Sequence, residues 1–143
     1  MSKALNYLGL ARKAGLLETG EENTGIAVRS GKARLVILAQ DASGNARRRA
    51  EGYVSMTKVP LVTVPFTKLD ISAATGKNGC SMAAIMDIGL AASFASGLEK
   101  EFGEDFSELS QEMEQRMQKA KQRKSEARAH ERNRKTGNRR SSV

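Results

Sequence analysis

The residues of this chain that could carry chemistry are few, and they do not assemble into a catalytic set. Its one cysteine, Cys80, lies ahead of an apolar run, and its one histidine, His130, lies in the polar stretch after residue 98. No Ser/His/Asp arrangement or apolar carboxylate pair is visible, and no Cys/His cluster has metal-ligand spacing. We therefore expect no catalytic residues, no metal and no cofactor. The segment TGKNG (75–79) brings Lys77, Asn78 and Gly79 into a short basic glycine loop ahead of Cys80 and Ser81. It lacks the GxxxxGK[ST] spacing of a nucleotide phosphate loop, so a turn into a strand and a simple backbone contact to a ligand both stand. The second feature is Gly20-Glu21-Glu22-Asn23. Two acids at a helix start suit the partial positive charge there. The same side chains are also acceptors joined to an amide that both accepts and donates. The third is Arg47-Arg48-Arg49, whose side chains on a helix fan over about 200°, either as a solvated face or as a contact to a polyanion.

The elements that must position these groups follow from apolar spacing and punctuation. Ala4, Leu5, Leu8, Leu10 and Ala11 recur at helical spacing and Gly15 offers a stop. A short helix follows Thr19 and Gly20. RLVILA (34–39) is a continuous apolar run, expected as a strand buried on both faces. Asp41, Ser43 and Asn45 supply turn and capping chemistry before a helix over ARRRAEGYVSMTK. LVTV (61–64) reads as a second buried strand, parallel to the first because a helix joins them. Thr67 to Ala74 reads as a short helix closed by Gly76, SMAAIMD (81–87) as a third strand, and GLAASFASGL (89–98) as a closing helix. This alternation predicts an α/β protein, a three-layer α/β/α sandwich with a helical basic C-terminal extension.

Composition changes near residue 98, which divides the chain into a domain over 1–98 and an extension over 99–143. Residues 99–114 hold Lys100 against seven acids, and residues 115–143 hold eleven basic residues against Glu126 and Glu131. Phe102, Phe106, Leu109, Met113 and Met117 make one apolar stripe on a helix expected from Phe106 to about Arg128. KTGNRRSSV (135–143) has nothing to bury and is expected to be disordered. The chain carries 24 Lys and Arg against 16 Asp and Glu, a net +8, with 39% hydrophobic residues and 4% aromatic. That charge favours a polyanionic partner. No apolar run reaches the roughly 20 residues that span a bilayer, so no membrane partner is expected. The lone cysteine excludes a disulfide framework, and a cytoplasmic setting is expected.

The segments LGLARKAG (8–15), TGEEN (19–23), AVRSGKARLVILAQDAS (27–43), KVPLV (58–62) and AATGK (73–77), in this order and with these gaps, resemble the kink-turn RNA-binding ribosomal proteins of the L-seven-Ae / L-thirty-e type, and more closely their bacterial YlxQ-like branch. The resemblance implies a noncatalytic RNA-binding protein, ribosomal-protein-like or ribosome-associated, with structured RNA such as rRNA as partner and a role in translation. It implies contact through Gly20–Asn23, Ala39–Ala42 and Thr75–Met82. The RNA-binding set so implied is Gly20, Glu21, Glu22, Asn23, Lys32, Gln40, Asp41, Lys77, Asn78, Gly79, Cys80 and Ser81. The family motif runs Gly, any residue, Asn, Glu, then Lys three residues on. This chain has Glu22 and Asn23 in exchanged order and Ile26 in place of the lysine. The alternative reading is a protein-interaction module that uses the stripe at 102–117 for partner binding or dimerisation.

Overall fold

The structure is a computed structural model that describes the backbone of residues 2–141 and the side chains of residues 2–134. Helix α1 (Lys3–Lys13) is capped by Ser2, whose hydroxyl accepts from the Leu5 N–H. It leads into strand β1 (Leu17–Thr19), helix α2 (Glu21–Arg29), strand β2 (Leu35–Leu38) and helix α3 (Gly44–Val54). Strand β3 (Leu61–Thr63), helix α4 (Lys68–Thr75), strand β4 (Met82–Ile85), helix α5 (Ile88–Phe102), a 3-10 turn (Glu104–Phe106) and helix α6 (Ser107–Ser141) complete the chain. The Ser43 cap and the Gly76 stop operate as expected. The Ser43 hydroxyl accepts from the Ala46 N–H at 3.1 Å. Thr67 and Asp70 form a reciprocal capping box on α4, and Gly76 closes that helix.

The sheet runs β1-β4-β2-β3, with β2 and β3 parallel and β4 antiparallel to both its neighbours. All four residues of β2 are buried, as a strand covered on both faces requires. Alternation sends Leu35 and Ile37 to the layer of α1, α4 and α5, and Val36 and Leu38 to the layer of α2 and α3. In β4, Ala83 and Ile85 face the first layer, while Met82 and Ala84 face the second. The α/β/α sandwich is therefore present. On the second face α2 and α3 approach closely because residue 25 is glycine. A Cβ there would lie 2.7 Å from the Tyr53 ring.

Several expectations need correction. The segment 61–64 is not buried throughout: β3 is the edge strand, half-exposed, with Thr63 open to solvent. Strand β1 was not foreseen, because three residues that include Glu18 show no apolar run, and its pairing to β4 creates it. Helix α5 passes residue 98 and ends at Phe102, so the change in composition falls inside a helix. Beyond it, α6 folds back on α5. Met113 is fully buried in the main core, and Phe106, Leu109 and Met117 pack against that core. The stripe is thus occupied by the chain's own body. Phe102, 42% exposed, stands edge-on between Phe66 and Phe106, with ring centroids at 5.4 and 6.4 Å. Glu101, also beyond residue 98, accepts from the N–H groups of Lys3 at 2.6 Å and Ala4 at 3.2 Å, tying the end of α5 to the start of α1. Helix α6 continues past Arg128 to Ser141. The expectation for KTGNRRSSV falls on residues whose side chains, and at 142–143 whose backbone, lie outside the described set. Among the described residues, no helix is long and apolar enough to cross a membrane.

Candidate nucleic-acid interface

The antiparallel placement of β4 beside β1 and β2 decides which loops meet. The C-terminal ends of β1 and β2 and the start of β4 lie at one end of the sheet, with Thr19 opposite Ala83 and Leu38 opposite Met82. Three segments distant in sequence are bonded together there. The Gly20 N–H donates to the Met82 carbonyl at 2.9 Å, and the Ala39 N–H to the Ser81 carbonyl at 2.8 Å. The Gln40 N–H reaches the Phe66 carbonyl at 2.9 Å. The start of α2, the loop after β2 and the loop before β4 therefore form one continuous edge.

Gly20 opens α2 at φ 94° and ψ 162°, a conformation that side chains with a Cβ avoid, and no side chain caps the helix. The first-turn N–H groups and their positive end are left facing outward, where an anion suits them. Glu21 is held by the Arg49 guanidinium at 2.7 Å. Glu22 and Asn23 are exposed, and the Asn23 Nδ2 donates to the Thr19 carbonyl at 3.2 Å, which leaves Oδ1 as an acceptor. Gln40 and Asp41 are exposed in the next segment, and one Asp41 carboxylate oxygen accepts from the Lys68 N–H at 2.8 Å, bracing the start of α4. In the third segment Lys77, Asn78 and Gly79 are exposed and Ser81 is half-buried.

Two members of the sequence-derived set stand apart. Cys80 is only 3% exposed, and its thiol donates to the Met82 carbonyl at 3.2 Å. Burial pushes the thiol up from its usual range, against the opposing pull of the Gly20 and Met82 backbone. Its side chain packs the loop and does not face a ligand. Lys32 lies before β2, at the far end of the sheet, separated from the loop edge by the four residues of that strand, about 13 Å at roughly 3.3 Å per residue. Conversely, the start of α3 joins the edge. Arg49 pairs with Glu21, and Arg48 bonds to the Asn45 amide oxygen. Arg47 donates to the Thr63 hydroxyl at 3.1 Å, at the exposed edge strand. The run of three arginines was the visible signal, but its fan over three directions hid which of them adjoin Glu21. No group of three or more His, Cys, Asp or Glu that could hold a metal occurs among the described residues. The assembled edge offers outward N–H groups, carboxylates, side-chain amides and cations, a mixture fitted to phosphates and unpaired base edges together.

Comparisons with known proteins bear on the family and the fold. Residues 2–94 match the ribosomal protein L7Ae/L30e/S12e/Gadd45 family. Over 75 residues the chain is 40% identical to the RNA-binding protein YlxQ of Enterococcus faecium, covering 52% of this chain and 72% of that one. It is 30% identical over 92 residues to the Bacillus subtilis YlxQ, covering 64% of this chain and 91% of that one. With the large ribosomal subunit protein eL30 of Aeropyrum pernix it shares 27% identity over 78 residues, 54% of this chain and 78% of the relative. A solved structure of a Bacillus halodurans protein of unknown function superposes with a TM-score of 0.64 at 29% identity, over 69% of this chain and 99% of that one. The 15.5 kD RNA-binding protein of Giardia lamblia shares the fold, with a TM-score of 0.56 at 23% identity, over 67% of this chain and 82% of that one. With its sandwich, its assembled loop edge and these matches, the chain belongs to the ribosomal protein L7Ae/L30e/S12e/Gadd45 family, on its bacterial YlxQ-like branch.

Proposed function

We propose that this protein is a noncatalytic, cytoplasmic RNA-binding protein that docks a tightly bent, kink-turn-like element of structured RNA, with ribosomal RNA as its source. The observation that carries the reading is the bonding of three loops into one edge around the uncapped start of α2. A sharp RNA bend crowds phosphates and exposes base edges. The α2 N–H groups suit the phosphates. The Glu22 carboxylate and the Asn23 and Gln40 amides suit the edges of unpaired bases, and RNA is read through such bases and through shape. The names of the YlxQ and eL30 relatives support RNA as ligand and the ribosome as its setting.

Binding of the full chain to a kink-turn hairpin, compared with a straight duplex of equal length lacking the tandem G·A pairs, tests the reading. The hairpin should bind at least roughly tenfold tighter, about 1.4 kcal/mol. Equal affinity for the two RNAs would remove the bent element from the proposal.

A further inference from the structure

The end of the sheet opposite the loop edge carries its own concentration of charge. There α6 passes beside the entry to β2 and the turn before β3, leaving a groove of about 550 Å³. Arg34 and Lys58 line it from the sandwich, and Arg116, Lys119 and Arg123 line it from α6. The three helix residues stand three, four and seven positions apart, so they share one face of α6. The rest of the lining is Ala33, Ile88 and Ala120, with no carboxylate. Nearby acids are already engaged: Glu112 pairs with Arg116 at 2.8 Å, and Asp87 accepts from the Leu90 N–H at 2.9 Å while capping α5. Arg34, Lys58, Lys119 and Arg123 are left as exposed cations converging on one hollow, with Arg34 steadied by the Gly31 carbonyl at 2.9 Å. A cleft lined by one sign of charge focuses its field on a ligand of the other. The elongated row along α6, about 10 Å from residue 116 to 123 at 1.5 Å per residue, matches a polyanion better than a single small anion.

We infer that the groove formed by Arg34, Lys58, Lys119 and Arg123 is a second nucleic-acid site, which grips the phosphate backbone of a plain RNA duplex without reading its sequence. It rests on the RNA-binding reading of the chain but not on the bent-element edge. The two sites lie at opposite ends of β2, so one molecule would hold two RNA segments at once.

Anisotropy of the full chain with a labelled straight RNA duplex, alone and after saturation with unlabelled kink-turn hairpin, tests this. The wild type should still bind the duplex when the hairpin is bound. The variant R34Q/K58Q/K119Q/R123Q changes only exposed side chains, so its melting curve should match the wild type. It should lose at least about tenfold in duplex affinity, and its slope of log K against log salt should flatten by about 3, for four contacts at roughly 0.7 to 0.9 each. Unchanged duplex affinity would overturn the proposal. So would an equal loss in K121Q/K124Q/R128Q, which alters a neighbouring face of α6, or capture by phosphatidylserine vesicles without duplex binding. If the wild type shows no preference for the hairpin while the groove variant still loses the duplex, the bent-element reading fails and the groove stands.

Discussion

Asn23 shows how one residue can serve the fold and stay open to the RNA proposed for this edge. Its Nδ2 is committed to the Thr19 carbonyl and fixes the side chain at the start of α2, so its Oδ1 is presented to an incoming donor without much loss of rotamer freedom. Glu22 beside it is exposed, whereas Glu21 is tied to Arg49 at the surface, a pair worth little to stability but able to orient the guanidinium. The exchanged order of Glu22 and Asn23, with Ile26 where the family motif carries lysine, is the residue-level departure from the strongest binders. Ile26 is 52% exposed, so a lysine fits there without repacking. The triple change Glu22→Asn, Asn23→Glu and Ile26→Lys should tighten kink-turn binding roughly tenfold, the scale of one hydrogen bond to a charged group. Its salt slope should steepen by about 0.7 to 0.9 for one added phosphate contact. Titration of both proteins with one hairpin checks this, and an unchanged affinity would detach residues 20–26 from the family motif.

Helix α6 has two physical characters along its length. Its first turns are part of the core through Met113, Leu109 and Met117, while from Lys121 to Arg134 its side chains are mostly exposed and charged. The boundary that composition suggests at residue 98 would therefore cut through α5 and strip Met113, Glu101 and Phe106 from the sandwich. Met113→Ala should cost about 2 to 4 kcal/mol through lost burial and the cavity left behind. Gln118→Ala, on the exposed side of the same helix, should stay within about 0.5 kcal/mol. Urea denaturation distinguishes the two: the Met113 variant lowers the midpoint with the slope preserved. A Met113 variant as stable as the wild type would mean that α6 does not contribute to the core.

Across the whole molecule the net charge of +8 is distributed unevenly: the loop edge mixes acids, amides and cations, while the opposite groove and the exposed part of α6 are dominated by cations. Phosphate contacts through counterion release weaken steeply with salt, whereas hydrogen bonds to base edges do so less. Raising salt from about 50 to 200 mM should therefore weaken duplex binding more than hairpin binding, and the ratio of the two affinities should rise. A ratio that stays constant with salt would mean that both RNAs are held by the same phosphate contacts. Parallel titrations of the two RNAs at each salt concentration measure that ratio.

Within the amino-acid sequence alone, the local elements were legible because their causes act over a few residues. Helical spacing in 4–11, the stop at Gly76 and the continuous apolar run at 34–39 each specify one element in place. The motif segments also marked which three loops to watch. Pairing across the sheet was not legible, since it depends on which surfaces bury each other rather than on any local period. That pairing set β4 between β1 and β2, made a strand of Leu17–Thr19 and placed β3 at the edge. It also turned Cys80 inward and spent an Asp41 oxygen on α4. The apolar stripe on α6 was visible as a stripe, but a stripe does not say what covers it. Only the tertiary structure decided that α5 and the main core do, and that the same docking brings Arg123 beside Arg34.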